Sequence, residues 1–140
     1  MPRPTPNWQP LSMLPTLAKM VAAQLEEVTT QLQSLRAAQK QPHVLDDHTV
    51  SRVLKLYGEQ QEFMWVYEAQ VERWQQETLN PTQQQQLDQM SEQLKQIKPK
   101  LSKIIEIAED LKGKTIESIL GKSDVELALD VLSGKIPPPL

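Results

Sequence analysis

The chain has 140 residues, no cysteine and a formal net charge of −3. That length allows one domain with a core of its own, and the lack of cysteine excludes disulfide frameworks, thiolate metal sites and cysteine nucleophiles. A weakly negative chain has no general attraction to nucleic acid or to anionic lipid, so neither is expected as a partner.

Residues 1–11, starting MPRPTPNWQP, form a proline-rich arm. No apolar run follows Arg3, so a signal peptide is not expected. No stretch approaches the ~20 apolar residues that span a bilayer, and a cytoplasmic protein is the expectation.

Beyond the arm the apolar residues recur in steps of three and four. In the first segment they are Leu14, Ala18, Val21, Leu25, Val28, Leu32 and Leu35. This heptad spacing predicts a helix, with Ser12 as its cap and Pro15 in a first turn that needs no N–H there. Pro42 marks a loop. Asp46 and Asp47 then offer a cap and negative charge to a second helix, whose stripe is Val50, Val53, Tyr57, Gln60, Met64, Tyr67, Val71 and Trp74. Leu56 and Phe63 flank that stripe, and Trp65 and Val66 point to its side and back. Asn80, Pro81 and Gln83 carry the signature of a capping box with proline at the first helical position. The third stripe is Leu87, Met90, Leu94, Ile97, Leu101, Ile104, Ala108 and Leu111.

The turn between the second and third helices is short, so they are predicted to be antiparallel. Folded there, Trp74 faces Leu87, Val71 faces Met90 and Val50 faces Leu111. Folding the first helix onto the second sets Leu14 against Val71, Val21 against Met64 and Leu35 against Val50. The fold class expected is all-α: an antiparallel up-and-down bundle of three long helices over residues 12–112. Pro99 lies inside the third helix and is expected to kink it while facing outward.

Gly113 ends the third helix. Residues 113–134 are expected to form a short C-terminal helical segment, with Ser123 and Glu126 as a capping box and Gly134 as a stop, completing a four-helix arrangement. Residues 135–140 are a proline-rich tail. Val125, Leu127, Ala128, Leu129, Val131 and Leu132 are more apolar residues than a solvated helix carries, so the segment must dock: on the flank of the second helix, on a seam left between the first and third helices, on a partner, or on a second copy of the chain.

No catalytic residue, cofactor or metal site is expected. His43 and His48 lie with Asp46 and Asp47 in a loop and a helix start, without the Glu-x-x-His pairs of bundle di-metal sites. Lys95, Lys98, Lys100 and Lys103 spread around a helix rather than lining one face. They are expected to pair across to Glu59 and Glu62 on the second helix. Gln60, at a core position between Leu25 and Leu101, is expected to fix register. The function expected is that of a non-enzymatic interaction or scaffold protein, binding a protein partner or a second copy through Leu56, Phe63, Trp65, Val125, Leu129 and Leu132. The alternative is a small-molecule pocket between helices near Tyr57, Gln60 and Tyr67.

Overall fold

A computed structural model describes residues 6–41 and 45–115. A 3-10 turn, Leu11–Met13, leads into α1 (Leu14–Ala38), followed by α2 (Asp47–Gln75) and α3 (Pro81–Leu111). All the regular structure among the described residues is helical. The expected C-terminal helix, including Val125, Leu129 and Leu132, lies outside the described residues.

The helix starts follow the chemistry of their caps, with one exception. Asp46 accepts the Thr49 N–H at 2.7 Å, and Asn80 with Gln83 makes a reciprocal capping box at 2.8 and 3.0 Å. Ser12, in contrast, does not cap α1. The chain enters through the 3-10 turn, the Met13 N–H donates to the Pro10 carbonyl at 2.9 Å, and Met13 occupies the cap position without a side-chain bond. Pro99 is exposed and α3 runs through it unbroken.

The three helices pack as a bundle in which α3 is the hub. Both α1 and α2 lie against α3, whereas α1 and α2 hardly touch backbone to backbone. The buried residues tell the same story, with nine on α3 against five on α1 and six on α2. A helix with two neighbours needs a broader apolar stripe, and Ile107 joins Ile104 and Ala108 inside for that reason. Cross-helix bonds fix the directions. Gln61 donates to Ser102, Lys98 pairs with Glu68, and Thr115 donates to Asp47, so α2 and α3 are antiparallel. Tyr57 reaches Glu27 and Gln60 reaches Gln24, so α1 and α2 are antiparallel as well.

This arrangement corrects the expected open seam. It lies between α1 and α2, because α1 uses its apolar stripe on α3. Among the described residues no helix is long and apolar enough to cross a membrane.

Candidate functional site

The seam between α1 and α2 forms a groove. Its floor is bridged by long polar side chains: Gln24 Nε2 donates to Gln60 Oε1 at 3.0 Å, and Tyr57 Oη donates to Glu27 Oε1 at 3.2 Å. Such bridges suit helices whose backbones stand apart. At the end nearest the start of α2 the groove deepens into an open cleft of about 600 Å³, lined by Glu27, Gln31, Arg52, Val53, Leu56 and Tyr57 among others. Tyr57 is nearly fully buried. Loss of solvent, reinforced by the Glu27 charge and hydrogen bond, pushes its hydroxyl up to about 12.

The rim of this groove carries apolar side chains among charged ones. Met20, Leu56 and Phe63 are the large hydrophobic side chains left exposed among the described residues, at 53%, 47% and 48%. Leu56 and Phe63 are seven residues apart and share one face of α2. Met20 sits four and seven residues before Gln24 and Glu27, on the edge of α1 that faces α2. In the antiparallel register set by those bridges, Met20 lies level with Phe63. Phe63 packs edge-on against Tyr67, with centroids 5.7 Å apart and planes at 78°.

The same flank of α2 continues to a second feature that the sequence reading missed. Gln70, only 4% exposed, stands seven residues beyond Phe63. Its Oε1 accepts the Gln9 N–H at 2.7 Å and its Nε2 donates to the Gln9 carbonyl at 3.3 Å. The Trp74 indole N–H donates to the same carbonyl at 3.2 Å, and the Arg73 guanidinium lies 4.6 Å from the centre of the Trp8 ring. The proline-rich arm is therefore strapped across the C-terminal end of α2 by its backbone and one aromatic ring. A glutamine four residues before a core tryptophan, on the flank already marked by Phe63, was the available signal.

Of the residues expected to bind a partner, Leu56 and Phe63 come together on the groove. Trp65 does not: it is half-buried and lies two residues, some 200°, around the helix from Phe63. Gln60 is half-buried rather than enclosed, with Gln24 as its partner, and Gln70 is the buried amide instead. Gln60 and Tyr67 do not line the cleft beside Tyr57.

The lysine run pairs differently from expectation. Lys98 reaches Glu68, while Lys95 and Lys103 bond along their own helix to Glu92 and Glu106. Glu68 and Gln61 occupy the edge of α2 that faces α3; Glu59 and Glu62 point away from it. His43 lies outside the described residues and His48 is exposed on the first turn of α2. Among the described residues, no three His, Asp or Glu side chains gather as a metal site.

No protein-family model matches the chain, and no match is found among curated proteins or among solved structures.

Proposed function

We propose that the protein is a non-enzymatic interaction module whose α1–α2 groove receives an amphipathic helix of a protein partner. The observation that carries this reading is the convergence of Met20, Leu56 and Phe63 on both walls of one groove. Each is about half exposed, so covering it gains roughly 1 kcal/mol, and a helix laid in the groove covers all three together. The charged side chains beside them, Glu27, Arg52 and Glu59, supply a polar rim that selects orientation.

A small-molecule site draws on the cleft beside Tyr57. Its wide mouth and charged walls suit a peptide surface better than an enclosed ligand, which needs most of its area buried.

The test places a benzophenone side chain at position 63 or 56 in the native host and irradiates. Discrete cross-linked species are expected at both positions, lost when Met20→Glu is added, and absent when the probe stands at Glu106 on the far face of α3. Equal cross-linking at all three positions, or none at 56 and 63, refutes the groove as an interaction site.

A further inference from the structure

The described bundle ends level with the cleft end of the groove, on the α3 side of α2. Thr115 is fully buried and its hydroxyl donates to Asp47, in the first turn of α2. Thr49, two residues on, lines the cleft some 200° around the helix, so the groove lies around the first turn of α2, roughly 10 Å away. Residues 116–140 therefore continue from a point level with the groove's open end. We propose, resting on the interaction reading above, that residues 123–133 of the same chain are the groove's resident helix, which a partner must displace.

Three observations carry this choice of occupant. The first is reach. Eight residues separate Thr115 from Asp124, enough to span roughly 25 Å extended, and the helix that follows needs only about 15 Å of groove. From Thr49 to Phe63 the α2 wall offers about 21 Å.

The second is shape of charge. SDVELALDVLS carries Asp124, Glu126 and Asp130 and no base. Arg52 and Lys55 stand at the cleft beside Glu27, which accepts from Tyr57, and Glu59; among the described residues neither base is in an ion pair. The third is apolar match. Val125, Leu129 and Leu132 fall on one helical face, the counterpart of Leu56, Phe63 and Met20. Laid there, the segment completes a four-helix arrangement and closes the one side of the bundle on which helices do not pack directly.

Because the chain has no cysteine, one engineered pair reads the contact cleanly. Leu56 stands at the middle of the groove and Leu129 at the middle of the segment, so Leu56→Cys with Leu129→Cys meet whichever way the segment runs. The control is Glu106→Cys with Leu129→Cys, at the same level of the bundle but on the opposite, exposed face. Both pairs share one tether, so tethering alone favours neither. Docking is expected to make the first pair close an intramolecular disulfide at least about tenfold faster under mild oxidation of dilute full-length protein. Circular dichroism confirms that both variants are folded. A covalent dimer as the preferred product assigns the groove to the segment of a second copy and overturns the proposal. Equal rates for the two pairs overturn it as well. In that case cross-linking from position 63 to a foreign protein leaves the interaction reading standing, whereas loss of both results removes it.

Discussion

Gln70→Ala is the most informative single change to the described bundle, because Gln70 makes two of the three side-chain bonds that α2 gives to the backbone of the arm. The substitution removes a 2.7 Å bond from the Gln9 N–H and a 3.3 Å bond to the Gln9 carbonyl. The carbonyl keeps the Trp74 indole; the N–H loses its partner and must find water. One good and one long hydrogen bond, each worth about 0.5–1.5 kcal/mol net, plus partial desolvation of the N–H, give an expected loss of about 2–3 kcal/mol. The arm sets a ceiling: once Trp8 and Gln9 detach, no further loss accrues from them. Trp8→Ala, which removes the ring beside Arg73, acts through the same docking. The two changes together should then cost less than their sum by about 1 kcal/mol. Urea unfolding followed by circular dichroism, on both single variants and the double, gives the cycle. A loss under about 0.5 kcal/mol for Gln70→Ala, or strict additivity with Trp8→Ala, would show that the arm does not depend on this strap.

In a Tyr67→Phe chain, Tyr57 is the remaining tyrosine, and its ultraviolet titration should show ionisation near 12. An unfolded tyrosine ionises near 10, so between the two values the unfolded state loses its proton first and stability falls as pH rises. A tyrosinate signal appearing at the ordinary value would contradict the burial and the Glu27 contact; Glu27→Gln should lower the transition only part of the way, since burial is the larger cause. Val71→Asp places a charge in the core and should unfold the chain, an unpaired buried charge costing several kcal/mol against a total of about 5–15. Val66→Asp, at a half-buried position on the back of α2, should leave the thermal transition cooperative; equal damage from the two would reveal a covered back face. Asn80→Ala removes one half of the capping box and should cost about 1 kcal/mol in thermal unfolding, with no effect if the α2–α3 turn holds itself.

Heptad spacing located the core well, and for a physical reason. Every buried apolar residue of α1 and α2 falls on the stripes read from the sequence, because a helix against one neighbour obeys a simple period. On α3 the reading fell short at Ile107, where contact with two helices widens the stripe. The antiparallel directions were legible from the short turn at Asn80. The open seam was not. A heptad count assigns each residue to a layer along the bundle but says nothing about how three helices divide their lateral contacts. Leu56 and Phe63 were recognisable as flanking residues, yet Met20 drew no notice, since a lone methionine beside a stripe carries no period. Gln70 and Trp8 escaped for a different reason. Gln70 holds the backbone of Gln9, 61 positions away and next to Trp8, and backbone hydrogen bonding leaves no pattern in side-chain identity.

The division of labour among the helices bears on what the molecule can do. The two contacts made by α3 are sealed by apolar side chains, including Ile97, Leu101 and Ile104 at no exposure, and opening either would cost several kcal/mol of lost burial. Between α1 and α2 the hydrogen bonds are two, both between part-buried side chains and each worth about 1 kcal/mol net. A helix laid in that seam therefore breaks no backbone packing between α1 and α2, and both can adjust to it while each stays anchored on α3. The arm strapped by Gln70 and Trp74 and the clasp between Thr115 and Asp47 stand at opposite ends of α2, so both chain exits are held at the ends of the groove rather than across its middle. Groove, anchors and exits thus leave the apolar rim of Met20, Leu56 and Phe63 as the surface most cheaply covered by an added helix.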